Sequence, residues 1–480
     1  MPPELALRLR RLWRRVLSLP RRAYLTLRYH GARELAFRLV TFPLRVAPLG
    51  PRLGLVSPSD PTALARRWYR EHGRRVAVVI PTYGDPGVVE QAISSVRRTT
   101  ARERVRIIVP DDGSPAEHRE QLEALAARDD VELILGDAQR GFAANCNRGL
   151  RAATPGEDIV LLNSDVIAHP GWLEALQHAA YEAPASVVGA RLLYPDGTIQ
   201  FGGGLRNPHH PEWFDHRFRG RDGRLAEASV ALPVLTVTGA CMYVTRAALD
   251  ELGPLDEGFE MAFEDVDYCV RAWDRGQRVL YAPAAALTHH ESKTRGVVQG
   301  PRELRSQARF WERWGDWFDA RDVHAPGGGL RIVYVASEAG DAELAAHVDG
   351  LRERGHEAQL IIGDAAGLAE LDAIKVATDW RAAEVVWERS VRRGVPAYLV
   401  RELDVTRRHG RGAARVLAGL RPEFHYLAPS HAIAGQLREL ATRVVVVAPG
   451  RLDELERVYR ELAVESAGGV SGSPHARRPH

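Results

Sequence analysis

Residues 76–83 read VAVVIPTY and residues 107–114 read IIVPDDGS. Each is an apolar run of strand length that stops on a small polar turn. Between them Asp85-Pro86 supplies a helix cap followed by a proline at the first helical position, where its missing N–H and fixed φ do no harm. The spacing therefore predicts a buried strand over Val76–Ile80, a helix, and a second strand over Val105–Val109. Ser114-Pro115-Ala116-Glu117 then reads as a capping box that opens another helix. Val131–Leu135, a helix through Asn145 and a strand over Ile159–Leu162 continue the alternation. Strands alternating with helices make an α/β fold with an open, mostly parallel sheet, and such sheets bind ligands beyond the carboxyl ends of their strands.

Working outward, the pattern loses regularity after Val187, with a turn at Pro195-Asp196-Gly197 and a long apolar run from Pro233 to Val244. Gly327-Gly328-Gly329 separates a second strand–helix series that starts at Arg331–Val335 and runs to Val444–Val447. This is expected to be a second, Rossmann-like α/β domain over 330–450, with a helix and a disordered tail over 451–480. The first α/β domain is placed at 74–325, after a Pro/Gly/Ser-rich linker at 53–73.

Residues 1–52 differ from everything that follows. They carry 12 Arg and 2 Glu, whereas the whole 480-residue chain has a net charge of +3, so the remainder is acidic. Leu5, Leu9, Leu12, Trp13 and Val16 recur at helical spacing with Arg8, Arg11 and Arg15 on the other side, and a second amphipathic stretch covers Tyr24–Phe42. Arg-rich helices with Leu and Trp faces suit an anionic membrane surface; a helix packed on its own protein is the alternative. The arginines lack an aromatic stacking surface or a base-reading module, which argues against a nucleic-acid partner. Cys146, Cys241 and Cys269 form no CxxC pair and are expected as free thiols of a reducing compartment. No run reaches the roughly 20 apolar residues of a membrane span, and the N-terminus lacks the pattern of a secretory signal. The expected location is cytoplasmic, peripheral on the inner face of the plasma membrane.

Five polar clusters fall where strands should end. Pro81-Thr82-Tyr83 follows the first strand. Asp111-Asp112-Gly113-Ser114 follows the second, where a carboxylate can accept the ring N–H of uracil or thymine and Gly113 lets backbone approach a ligand. The same four residues also make a plain turn. Asn163-Ser164-Asp165 ends the strand Ile159–Leu162. A hard cation there would find oxygen ligands and keep positions open for diphosphate oxygens, although a helix cap before His169-Pro170-Gly171 would use the same residues. Glu264-Asp265 heads a helix, where acidic groups favour the dipole or one of them serves as a general base. His289-His290 follows a strand expected at Val279–Tyr281.

Taken together, VAVVIPTY, IIVPDDGS, RGFAANCNRG, IVLLNSDV, VTGACMYVTR, FEDVDYCVR and HHESKTRG stand in the order of the family 2 glycosyltransferases, and residues 74–315 resemble that family, most of all its rhamnosyltransferase-like branch. The resemblance implies the GT-A nucleotide-sugar-binding fold and an inverting, metal-dependent transfer. The donor would be a dTDP- or UDP-sugar, and the acceptor a glycan or a lipid-linked molecule of the cell envelope. By the same likeness Pro81, Thr82, Tyr83 and Asp111 line the nucleotide pocket and Arg140 lies near the diphosphate. Asn163 opens the metal motif, and Asp165 and His289 hold Mg²⁺ or Mn²⁺. Gly239 and Ala240 lie by the donor sugar, and Asp265 acts as the base with Glu264 beside it. Residues 330–450 resemble the N-terminal half of a GT-B glycosyltransferase and read as an acceptor-binding or interaction module. A catalytically silent scaffold and a sugar nucleotidyltransferase are the competing readings. The acidic and histidine clusters argue against the first. The absence of a Gly-rich, basic loop after the first strand argues against the second.

Overall fold

Helix α1 (Ala63–His72) occupies the second half of the stretch expected to be a linker. It is held by aromatic packing: the Trp68 ring stacks on Tyr181 at 6.0 Å and the Arg104 guanidinium lies 5.1 Å from the centre of the Tyr69 ring. The alternation read from the sequence follows as β1 (Val76–Val79), α2 (Pro86–Thr99), β2 (Val105–Pro110), α3 (Ala116–Asp129), β3 (Glu132–Ile134), α4 (Phe142–Ala152) and β4 (Asp158–Leu162). Asp85 caps α2 as expected, accepting the Gly87 N–H at 2.9 Å. The capping box at Ser114 does not form. Pro115 occupies the cap of α3 without a side-chain bond, because the Ser114 hydroxyl is engaged elsewhere.

The computed structural model describes residues 61–290, 300–401, 411–438 and 443–467. The basic stretches in 1–52, the motif residues from Glu291 to Gly296 and the tail from Gly468 lie outside the described residues. The chain divides into two compact units, one comprising residues 1–205, 214–307 and 405–414, the other 206–213, 308–404 and 415–480.

In the first unit the remaining elements are β5 (Val166–Ala168), α5 (Trp172–Glu182), β6 (Val187–Leu193), β7 (Ile199–Phe201), a ribbon of β8 (Gly204–Arg206) with β9 (Phe214–His216), β10 (Leu232–Pro233), β11 (Cys241–Val244), α6 (Arg246–Leu252), α7 (Glu264–Asp274) and β12 (Val279–His289). The central sheet runs β10-β12-β6-β11-β4-β1-β2-β3. Strands β4, β1, β2 and β3 are mutually parallel, and so are β6 and β12; β11 lies antiparallel between β4 and β6. Within the apolar run Pro233–Val244, only Pro233 at the end of β10 and Cys241–Val244 lie in strands. Strand β12 extends through His289, far past the expected end at Tyr281. The sheet interior is dry: Val76–Ile80, Ile159–Leu162 and Cys241–Val244 are all essentially inaccessible. At the amino end of β4 the buried Asp158 carboxylate accepts from the Tyr243 and Tyr181 hydroxyls (2.5 and 2.7 Å), the Arg246 N–H (2.7 Å) and Arg74 Nε (3.1 Å). A buried carboxylate is tolerated only when it is satisfied in this way.

Helix α8 (Pro301–Asp319) leads into the second unit. There β13 (Arg331–Ala336), α9 (Ala342–Glu353), β14 (Glu357–Ile362), β15 (Ile374–Ala377), α10 (Trp380–Ser390), β16 (Val395–Leu399), α11 (Arg411–Gly419), β17 (His425–Ala428), α12 (His431–Leu437) and β18 (Val444–Val446) build a wholly parallel sheet, in the order β14-β13-β15-β16-β17-β18. Helix α13 (Leu452–Ala467) belongs to this core: Leu455, Val458, Tyr459 and Leu462 pack among the buried residues of β13 and α9, and the Tyr334 and Tyr459 hydroxyls meet at 2.9 Å. Among the described residues no helix is long and apolar enough to cross a membrane.

Lys375 on β15 is fully buried, with its ammonium donating to the carbonyls of Arg389 (2.5 Å) and Arg393 (2.9 Å). Burial, reinforced by the nearby Arg321 charge, pushes its pKa down to about 7. The unfolded chain keeps that proton to about pH 10.4, so between these values the unfolded state binds more protons. Stability should therefore rise as pH increases from about 7 toward 9. Urea unfolding at several pH values checks this, and Lys375→Met should flatten the rise.

Candidate active site

The loops after β1 and β2 are joined by backbone and side chains together. Thr82 N–H donates to Pro110 O (3.0 Å) and Asp112 N–H to Thr82 O (2.9 Å), extending the parallel pairing past the strand ends. Asp111 is wholly buried. Its carboxylate accepts the Ser114 N–H at 3.1 Å and the Ser114 hydroxyl, while Ser114 Oγ accepts the Gly84 N–H at 2.8 Å. Asp112, not singled out in the sequence, holds the next loop: its two oxygens accept Arg140 N–H (2.8 Å) and Gly141 N–H (3.0 Å) at the start of α4. From α4 itself, Asn145 Nδ2 donates to Pro110 O at 2.8 Å and Arg148 donates to Asp111 O at 2.6 Å. Pro81 and Thr82 are buried, whereas Tyr83 is 54% exposed, an aromatic ring left open at a strand end. The Arg140 guanidinium reaches solvent and pairs with Asp137 at 3.2 Å.

Gly113 adopts φ +79°, and a Cβ there would lie 2.7 Å from the carbonyl carbon of Ala138. The close approach that requires glycine is between two loops of the protein. Glycine is thus required here by its φ and by packing within the protein.

The second half of the site assembles around β4. Register between β4 and β11 pairs Leu162 with Cys241, so the residue after Leu162 meets the one before Cys241: Asn163 N–H donates to Ala240 O at 3.0 Å. Val166 N–H returns to Asn163 O (3.1 Å), placing Asp165 in the turn into β5. Helix α5 begins only at Trp172 with Gly171 at its cap, so Asp165 is not a helix cap. Strand β5 pairs antiparallel with β12, Val166 opposite His289, and His290 N–H donates to Asp165 O at 3.0 Å. This ladder brings His289 Nε2 to 3.1 Å from Asp165 Oδ1. On the other side of the ring, Nδ1 lies 2.7 Å from Gln200 Oε1. Asn163 Oδ1 is buried with no hydrogen-bond partner among the described residues. No group of three or more His, Cys, Asp or Glu side chains forms a metal cluster among the described residues. One carboxylate, one imidazole and one unpartnered amide oxygen nevertheless make a donor set that suits Mg²⁺ or Mn²⁺ with positions left open.

The third part is the start of α7, whose first turn carries Glu264, Asp265 and Asp267. The structure separates their roles. Asp267 is buried and paired with Arg271 Nε at 2.9 Å. Glu264 is buried. Asp265 is partly exposed and accepts Gly239 N–H on Oδ2 and Val266 N–H on Oδ1, both at 2.8 Å. Each oxygen retains acceptor capacity for a substrate hydroxyl. Ala262 and Phe263, just before the helix, both take positive φ (63° and 70°). Each such residue costs roughly 1–2 kcal/mol, and strain of this kind collects at functional sites. The strained turn is braced by the Glu260–Arg305 pair (2.7 Å on each arm) and by Met261 N–H to Ser306 Oγ at 3.2 Å. All three cysteines are buried. Burial, with the Glu264 and Asp112 charges adding to it, holds the Cys146 thiol well above its ordinary pKa, which excludes it as a nucleophile.

Of the residues expected at the site, Asn163, Asp165, His289, Gly239, Ala240 and Asp265 form one hydrogen-bonded group. Pro81, Thr82, Asp111 and Arg140 belong to the joined loops. Asp112 stood only within the turn cluster, and Gln200 was missed. A glutamine between the apolar Ile199 and Phe201 was the available signal for it, since a polar side chain on a buried strand needs a partner.

Residues 77–253 match the family model described as Glycosyl transferase family 2. Over 241 residues the chain is 28% identical to the N-acetylglucosaminyl-diphospho-decaprenol L-rhamnosyltransferase of Mycobacterium tuberculosis, covering 46% of this chain and 77% of that protein. It is 26% identical over 253 residues to the O-antigen biosynthesis protein RfbC of Myxococcus xanthus, covering 49% of this chain and 18% of that one. Against the uncharacterized protein y4gI of Sinorhizobium fredii it spans 29% of the relative's length. Among solved structures, GalNAc-T7 with UDP, GalNAc and Mn²⁺ superposes with a TM-score of 0.43 at 17% identity, over 52% of this chain and 51% of that one.

Gly84 and Gly113 share a positive φ (+82° and +79°), but only Gly113 faces backbone atoms. Gly84→Ala should cost about 1 kcal/mol, the conformational term alone. Gly113→Ala should cost at least about twice that and loosen the loop that carries Arg140. Chemical denaturation of both variants checks the difference.

Proposed function

We propose that this chain, whose residues 77–253 form a family 2 glycosyltransferase domain, transfers a sugar with inversion from a dTDP- or UDP-linked donor. The acceptor is a hydroxyl of a cell-envelope glycan or of a lipid-linked molecule. The observation that carries this reading is the Gly239-Ala240 segment, hydrogen-bonded to Asn163 on one side and to Asp265 on the other. It ties the carboxylate suited to deprotonation to the donor set suited to a cation, across two strands and a helix.

Asn163, Asp165 and His289 would hold Mg²⁺ or Mn²⁺, whose role when bound is to neutralise charge on the departing diphosphate. The chain's own residues do the rest. Exposed Tyr83 offers a face for the nucleobase beside Thr82 and the loop fixed by Asp111, and Arg140 can exchange its ion pair with Asp137 for diphosphate oxygens. Asp265 takes the acceptor proton as the new C–O bond forms, while the bond from the anomeric carbon to the diphosphate breaks and its electron pair leaves with the nucleotide. A single displacement needs no enzyme nucleophile, in keeping with the buried cysteines. The rhamnosyltransferase and O-antigen relatives support a rhamnose-like or other hexose donor and an envelope acceptor. The basic residues 1–52 would hold the enzyme on the inner membrane surface beside a lipid-linked acceptor, and the second unit would serve as an acceptor-binding or interaction module.

Two variants test the chemistry. Asp165→Ala should abolish transfer and weaken donor binding only when Mg²⁺ or Mn²⁺ is present, and full wild-type activity in excess EDTA would sink the metal assignment. Asp265→Asn should lower turnover by about 10²–10⁴ with donor affinity near wild type; unchanged turnover would move the base to Glu264. For the membrane, the full chain should co-sediment with anionic vesicles and release as salt rises, since each surface Arg contributes about 1 kcal/mol at low salt. Equal binding to neutral vesicles would refute that placement.

A further inference from the structure

We propose that Gln200 is a positioning residue for the cation site: it fixes the tautomer and orientation of His289 so that Nε2 is presented, unprotonated, beside Asp165. This rests on the metal-dependent reading above, and it assigns a role to a residue that no motif singled out.

Gln200 sits at the middle of β7, only 3% exposed, between Ile199 and Phe201, which are buried as well. A glutamine there is costly unless its amide is bonded. Its backbone is held from several sides. Strand β7 pairs with β6, Leu192 opposite Phe201 and Leu193 opposite Ile199. Ile199 exchanges backbone bonds with the 218–221 turn, donating to Arg221 O and accepting from Gly220 N–H, both at 2.7 Å. The Gln200 carbonyl lies 3.3 Å from His216 Nδ1, and the His216 ring packs edge-on against Phe201 at 4.9 Å. A side chain so anchored defines a fixed position for Oε1, 2.7 Å from His289 Nδ1.

That contact decides which ring nitrogen carries the proton. With Oε1 as acceptor Nδ1 carries a proton, so Nε2 is the ring nitrogen left to face Asp165 Oδ1, 3.1 Å away. A lone pair and a carboxylate oxygen facing each other repel unless a positive charge lies between them. Loss of such a bond from behind a ligating ring typically weakens metal binding by about 10–100-fold.

The test uses the full chain and Mn²⁺ alone, titrated with free Mn²⁺ followed by electron paramagnetic resonance. Wild type, Asp165→Ala, Gln200→Leu and Gln200→Glu are compared. A glutamate can only accept, so it enforces the same tautomer, whereas leucine leaves Nδ1 without its acceptor. Gln200→Leu should weaken Mn²⁺ binding by about 10–100-fold, and Gln200→Glu should restore it to within about threefold of wild type. Histidine-selective ¹⁵N spectra of the metal-free chain give a readout independent of activity. The His289 signal, identified by its loss in His289→Gln, should report an Nδ1–H tautomer in wild type and Gln200→Glu, and a shift toward Nε2–H in Gln200→Leu. If Mn²⁺ binding is lost in Asp165→Ala but equal in wild type and Gln200→Leu, the role of Gln200 is overturned while the metal site stands. Binding lost equally in Gln200→Leu and Gln200→Glu, with unfolding temperatures unchanged, also overturns it. If wild type and Asp165→Ala do not differ, the metal reading itself fails, and this inference with it.

Discussion

Strand β11 enters the sheet against the direction of β4, and the site depends on that reversal. In an antiparallel pair the start of one strand lies beside the end of the other. The residues just before β11 therefore arrive where β4 stops, and Asn163 meets Ala240. Gly239, one residue earlier, is free to donate its N–H to Asp265 on α7. Had β11 run parallel, its preceding loop would lie at the opposite end of the sheet, and the Asn163–Asp165 turn and Asp265 would have no common scaffold. The same sheet then returns β12 alongside β6, long enough for its last residues to pair with β5 and bring His289 to Asp165.

The side of the site built by the loops after β1 and β2 follows a different logic. Its loops are short and polar, and most of the polar groups in the Asp-Asp-Gly-Ser turn are engaged within the protein. Asp111 is bound to Ser114, Asp112 to the backbone at the head of α4, and Ser114 also to Gly84. A buried carboxylate satisfied by N–H and O–H donors acts as a fixed strut. This strut keeps Thr82 and the exposed Tyr83 in one place, while the Arg140 guanidinium reaches solvent and pairs with Asp137.

The second unit shows a contrasting use of the same architecture. Its strand order reverses direction of growth at β13 and β15, where a ligand crevice is expected in such sheets. The helix ends there are already occupied by the chain's own carboxylates. Asp379 accepts the N–H groups of Arg381 and Ala382 together with the N–H and hydroxyl of Ser337, and Asp341 caps α9 while pairing with Arg401. A phosphate brought to either end would meet a negative charge in the position it needs. This argues against either end as a site for a nucleotide diphosphate.

Sequence alone determined the alternation of strands and helices through β4, the presence of two α/β units and the residues of the polar clusters. Those features are local: apolar runs of strand length, a proline after a capping Asp, and polar turns at strand ends declare themselves within a few residues. The tertiary structure decided everything that depends on neighbours distant in the chain. It confined the strand of the run Pro233–Val244 to Cys241–Val244, extended β12 to His289, and drew α1 and α13 into their cores where a linker and a trailing helix had been expected. It also turned the Ser114 hydroxyl away from the helix end: its oxygen accepts the Gly84 N–H where a cap would accept a helix N–H, and its proton goes to Asp111. Gln200 was invisible for the same physical reason: its partner stands 89 positions later, and only the folding of β7 and β12 onto opposite flanks of β6 makes them neighbours.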